Sequence, residues 1–78
     1  MNYVVYILYS EKLNKYYVGQ TQNLEERVRK HNQGGAKFTS TGKPWLLIKS
    51  ITVESRREAI QLERKIKKRG IQRYLNEN

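Results

Sequence analysis

Residues Tyr3 to Tyr9 read Tyr, Val, Val, Tyr, Ile, Leu, Tyr. Both alternating faces are apolar or amphipathic and made of strand-forming side chains. A strand without a polar side is covered twice, which predicts a central position in a sheet. The polar stretch Ser10 to Lys15 turns the chain, and Tyr16 to Gln20 returns as the second arm of a hairpin. With Tyr9 opposite Tyr16, Leu8 faces Tyr17 and Tyr6 faces Gly19, so Tyr6, Tyr17 and Gly19 share one surface. Lacking a side chain, Gly19 leaves a hollow beside Tyr6 that another group can enter.

The period then lengthens to that of a helix. Asn23 with Glu26 forms a capping box opening a helix that runs to His31 or Asn32, before Gly34 and Gly35. Its inward positions are Leu24, Arg27, Val28 and His31, so an arginine and the only histidine lie on the stripe that faces the sheet. Gln33 to Lys43 is a loop rich in Gly, Thr, Ser and Lys, the type of segment that carries binding groups. Pro44 closes it ahead of a third strand, Trp45 to Val53. Ser55 and Glu58 make a second capping box for a helix through Arg69, Gly70 stops it, and Ile71 to Leu75 adds a further turn or two. The second long helix has Ala59, Leu62 and Ile66 as its apolar stripe, Ile60 at the margin and Glu63 in between. No repeat or low-complexity segment interrupts this plan.

Composition narrows the picture. The 78 residues make one domain, 1–78, whose small core burying about 60% of the unfolded surface is consistent with a monomer or a weak dimer. The absence of cysteine removes disulfides and thiolate metal sites. Sixteen Lys and Arg against seven Glu and no Asp give a formal charge of +9, which favours a polyanionic partner. Nucleic acid fits better than a membrane, because no stretch approaches the roughly 20 apolar residues of a spanning helix and the basic helices carry no Trp or Phe anchors. No basic segment followed by an apolar run opens the chain, so a cytoplasmic location is expected.

Four polar side chains occupy positions where packing alone would place hydrocarbon: Tyr6, Tyr17, Arg27 and Glu63. Such groups serve one another or a ligand. In one reading Arg27 and Glu63 form an internal ion pair beside two structural tyrosines. In the other, a phosphodiester enters the hollow. Mg2+ (or Mn2+) then needs only one protein carboxylate, since it keeps its waters and shares a phosphate oxygen, and Glu63 is the only Glu on a core stripe. The remaining Glu residues lie on turns or outer faces, so one ion is expected rather than two. Arg27 would grip a nonbridging oxygen, its cation easing ionisation of Tyr6 or Tyr17 so that a phenol accepts a proton from water or aims it. His31, a turn beyond Arg27, would share that task or protonate a leaving group, unless it is simply a helix-end histidine. No Ser/His/Asp arrangement, phosphate-cradling glycine motif or zinc spacing is present, and no small-molecule cofactor is expected.

These residues carry a family resemblance. "VYI" at Val5 to Ile7 and "YVG" at Tyr17 to Gly19, ten residues between their tyrosines, precede "LEERVRKHN" and a later Glu63. The chain resembles the GIY-YIG nuclease superfamily, and in particular its small stand-alone bacterial members, over nearly its whole length. The resemblance implies an α+β fold with a three-stranded antiparallel sheet, first strand central, flanked by helices, and a metal-dependent cut of a DNA backbone. It matches Tyr6 and Tyr17 to the motif tyrosines, Gly19 to the motif glycine, Arg27 to the helix arginine, Glu63 to the metal-binding glutamate and His31 to a position often occupied by His. Val5 stands where the motif name has Gly. An asparagine near the end of larger members would correspond to Asn76 or Asn78, of which Asn76 is favoured.

The expected function is therefore single-metal DNA hydrolysis by Tyr6, Tyr17, Arg27, His31 and Glu63. Gly19, Lys37, Lys43, Lys67, Lys68, Arg69 and Asn76 would contact the nucleic acid, the cations among them holding the backbone without reading sequence. A nucleic-acid-binding module without turnover is the alternative, and a basic structural protein docking on an acidic partner a third.

Overall fold

The computed structural model describes residues 2–33 and 40–77. The elements run β1 (Tyr3–Ser10), β2 (Lys15–Thr21), α1 (Leu24–Asn32), a 3-10 turn (Ser40–Gly42), β3 (Trp45–Val53), α2 (Arg56–Arg69) and α3 (Ile71–Glu77). The sheet is antiparallel with order β2-β1-β3, so β1 is central. The hairpin register is the one its tyrosines predict: Tyr9 opposite Tyr16, Leu8 opposite Tyr17 and Tyr6 opposite Gly19. On the other side, a bulge between Ile7 and Leu8 shifts β1 from Lys49 to Leu47 and leaves Ile48 over.

Alternation along β1 divides the core into two layers. Val5 and Ile7 point to one face, where they meet Val18, Ala59, Ile66 and Tyr74, with Leu62, Ile71 and Leu75 at the margin. Tyr6 and Leu8 point to the other, against Trp45, Tyr17, Leu24 and Val28. The sheet thus lies between α2 and α3 on one side and α1 on the other. Ile66 is fully buried, a placement that contributes about 1.5–3 kcal/mol relative to exposure.

Local chemistry sets the helix ends. The Asn23 side chain accepts a hydrogen bond from Glu26 N–H at 3.1 Å, and the Ser55 hydroxyl accepts one from Glu58 N–H at 3.2 Å. Gly70, at φ 95°, ends α2 while its N–H still donates to the Ile66 carbonyl; a side chain would be strained at this dihedral. The reversal lets α3 fold back and return Tyr74 to the core. Asn32, the last residue of α1, accepts from Trp45 N–H and donates to the Trp45 carbonyl, tying α1 to the start of β3. Among the described residues, no helix is long and apolar enough to cross a membrane.

Candidate active site

Tyr6 is the largest fully buried side chain, 1% exposed. Its ring runs outward from central β1 and across Gly19 of edge strand β2. A Cβ built on Gly19 would lie 2.6 Å from the Tyr6 hydroxyl and 2.7 Å from Cζ, so the phenol occupies the space the absent side chain leaves. The hydroxyl meets His31 Nε2 at 3.1 Å. Tyr17 completes the corner, with ring centroids 6.4 Å from Tyr6, 5.0 Å from His31 and 6.2 Å from Trp45.

The opposite layer contributes the acid. Tyr6, Tyr17, Gly19, Arg27, Glu63 and Lys67 line one cleft of about 430 Å3, together with Tyr16, Gln20 and Ile71. It opens along the free edge of β2: the two phenols and Arg27 come from the α1 side, and Glu63, Lys67 and Ile71 from the α2 and α3 side. Separate segments therefore bring both tyrosines, the arginine and the lone inward acid to one cavity.

Three sequence expectations need correction. Arg27 is not packed against the sheet but exposed: short α1 places Leu24, Val28 and His31 inward, and position 27 overhangs the edge of β2 and reaches into the cleft. Nor do Arg27 and Glu63 form an ion pair. Glu63, with a side chain 20% exposed, pairs with Lys67 at 2.8 Å, four residues on along the same helix. Finally, ionisation of Tyr6 is not eased. Burial, reinforced by the neighbouring Tyr17, pushes its pKa well above the usual phenol value, and the opposing Arg27 cation does not offset this. Tyr6 thus rests as a neutral hydroxyl.

His31 is likewise 1% exposed, so it is a core histidine rather than a surface helix end. Its pKa is held below the ordinary 6.5, first by burial and then by Arg27. The neutral imidazole has two tautomers. A proton on Nδ1 leaves Nε2 to accept from the Tyr6 hydroxyl; a proton on Nε2 donates to the phenol oxygen.

The other predicted contacts scatter. Lys43, Lys68 and Asn76 are exposed outside the cleft. Arg69 is exposed as well, its guanidinium engaged by Glu77. Lys37 lies outside the described residues. Lys67, expected only as a backbone contact, lines the cleft beside Glu63. The four-residue spacing was the available signal for it. Gln20 and Ile71 were missed as lining residues because nothing in their types marks them.

Among the described residues no three metal-ligating side chains converge. Glu63 instead offers one carboxylate to an open cleft with room for waters and a phosphate oxygen, a donor set that fits a hard ion such as Mg2+ and does not fit a caged one. Its resting partner Lys67 is 57% exposed, and a half-solvated pair of this type contributes little. Glu63→Gln is accordingly expected to change folding stability by less than about 1 kcal/mol, read from denaturant melts; the buried pair first considered would cost about 3–5 kcal/mol to break.

The chain belongs to the GIY-YIG family: the model of the GIY-YIG catalytic domain matches residues 2–75. Its relatives include small bacterial proteins. It is 46% identical over 69 residues to UPF0213 protein CPE1444 of Clostridium perfringens, covering 87% of this chain and 72% of that one. It is 43% identical over 58 residues to UPF0213 protein YazA of Bacillus subtilis, 73% of this chain but only 59% of the relative. The solution NMR structure of UPF0213 protein BH0048 from Bacillus halodurans superposes with a TM-score of 0.60 at 31% identity, covering 97% of this chain and 81% of that one. A more distant kind of relative is the structure-specific endonuclease subunit SLX1 homolog of Drosophila melanogaster, 44% identical over 55 residues, which are 59% of this chain and 18% of the fly protein.

Proposed function

We propose that the protein is an endonuclease that hydrolyses DNA phosphodiester bonds with one bound divalent ion, Mg2+ or Mn2+. The observation that carries this reading is the convergence of Tyr6, Tyr17, Arg27 and Glu63 on a single cleft. The endonuclease name of the fly relative supports it. When bound, the ion would be held by Glu63 and would polarise a phosphate oxygen as a Lewis acid.

The chain's own groups do the rest. Arg27, exposed and without an ion pair to another described residue, presents its guanidinium fork to a nonbridging oxygen and neutralises charge gathering there. Tyr6, rigidly packed and holding its proton, positions a water by hydrogen bonding. Neutral His31 behind it accepts the phenol's proton as the phenol takes one from that water, so proton transfer proceeds without a free phenolate in the resting protein. Tyr17 fixes the rings in place and shields them from solvent.

The test is incubation of purified protein with supercoiled plasmid, with and without Mg2+. Metal-dependent nicking is expected. Salt-sensitive binding without nicking would instead identify a non-catalytic module, and neither result would favour docking on an acidic protein.

The relay has a pH signature. Tyr6 from β1, Tyr17 from β2 and Arg27 from the same helix surround His31, and its folded pKa lies below 6.5. Its contribution to stability is thus fully present above that unfolded value and is lost as pH falls through the folded one. Cleavage is expected to follow the same course, level near about pH 8 and declining toward about pH 5. His31→Gln, which keeps a polar group but cannot titrate, should remove the acidic decline along with most of the rate. An unchanged acidic limb in that variant would exclude His31 from the relay.

A further inference from the structure

A second cleft, of about 440 Å3, adjoins the first at the open end of the sheet, among the end of β2, the outer side of α1 and the first turn of α2. Gln20 and Arg27 line both cavities, so the two are neighbours that share a wall. Three cations, Arg27, Lys30 and Arg56, face this second cleft against one carboxylate, Glu26. That carboxylate is already engaged, by Lys30 at 3.6 Å and by the Asn23 amide at 3.3 Å. Arg27 and Arg56 make no ion pair with another described residue. Two guanidinium groups without such a pair therefore share one cavity with side-chain amides, an arrangement of donors suited to an anion.

We propose that this cleft is a second phosphodiester subsite, which takes the nucleic-acid backbone beyond the scissile phosphate on one side, with Arg56 and Lys30 as its contacts and Arg27 shared with the first cleft. The proposal rests on the nuclease reading of the Glu63 cleft. Spacing supports it: Arg56 and Glu63 lie seven residues apart on α2, about 10 Å along the axis, which is the rise of about three nucleotides of B-form DNA. A single strand path along the β2 edge would therefore meet Glu63, then Arg27, then Arg56.

Binding of a fluorescent DNA oligonucleotide, followed by anisotropy in EDTA across a salt series, tests this. Arg56→Ala is expected to weaken binding about tenfold at moderate salt and to lower the slope of log K against log salt by about one. Lys12→Ala, which removes an equal charge from the hairpin turn at the far end of the sheet, should stay within about twofold of the native protein. Trimming the oligonucleotide from one end up to the cleavage point should erase the Arg56 effect, and trimming from the other end should preserve it. Equal losses in the Arg56 and Lys12 variants, or an Arg56 effect that survives both trims, would overturn the subsite while leaving Glu63-dependent nicking intact. Absence of both nicking and binding by the native protein would instead remove the nuclease reading, and the subsite with it. Arg56 is exposed, so unchanged melting of Arg56→Ala is the expected control.

Discussion

Tyr6→Phe is expected to lower plasmid nicking by about 10²–10⁴-fold, the range over which a positioned proton-transfer group acts. The phenyl ring still fills the space above Gly19, so the core that Tyr6 shares with Leu8 and Trp45 stays intact. What disappears is the hydroxyl and its contact with His31, at a cost to folding of about 1 kcal/mol. A large fall in rate beside a small fall in stability would place the hydroxyl in the reaction. Glu63→Gln should abolish nicking as well, for a different reason, and should also remove most Mg2+ or Mn2+ binding as read by calorimetry. DNA affinity measured without metal should survive in both variants, since neither removes a cation. Nicking by Tyr6→Phe at the native rate would exclude the hydroxyl, and with it the relay through His31.

The second large effect is expected at Gly19, which touches no substrate in the proposed reaction. Alanine there would put a methyl carbon 2.6 Å from the Tyr6 hydroxyl and 3.2 Å from Tyr17 Cε1. Neither ring is a free surface side chain that can swing away: Tyr6 is buried on the α1 face of the sheet with Leu8, Trp45, Leu24 and Val28, and Tyr17 lies against His31 and Trp45. The substitution should therefore destabilise the fold by about 1–3 kcal/mol through overpacking. It should also reduce cleavage about a hundredfold, the penalty for a shift of roughly 1 Å at a reacting group. Melts and single-turnover rates check the two parts. A Gly19→Ala protein that melts and cleaves like the native one would show that the phenol is not confined as described.

Much of this arrangement was legible in the letters, for reasons that differ by element. The hairpin register followed from Tyr9, Tyr16 and the apolar alternation, because a period of two leaves few pairings that bury the same side chains. The helix starts were readable because Asn23 and Ser55 announce caps chemically, and Gly70 marks a stop that other residues reach only under strain. The meeting of Tyr6, Tyr17, Arg27 and Glu63 was anticipated from inward spacing plus the family resemblance.

What escaped is geometric. A helical stripe assigns Arg27 and Leu24 to the same side, but only the lateral position of α1 against a three-stranded sheet decides that Leu24 meets Tyr6 and Leu8 while Arg27 projects past the rim. Of the two readings open for Glu63, the internal pair with Arg27 is the one the geometry removes, since the carboxylate meets the lysine one turn away instead. The protonation of Tyr6 depends on how deeply its ring is enclosed, which no count of neighbouring charges along the chain supplies. The second cleft gathers Lys30 and Arg56 from elements far apart in sequence, so neither residue stood out among sixteen similar ones.

The Lys67 to Glu63 contact gives the resting protein a placeholder cation. In the proposed reaction a divalent ion arriving at that carboxylate would meet an occupied seat, so loading would be an exchange in which an ammonium group is evicted. Once evicted, the ammonium would be drawn to any anion in the same cleft. Uptake of metal and of polyanion would thus reinforce each other, with Lys67 passing from one to the other.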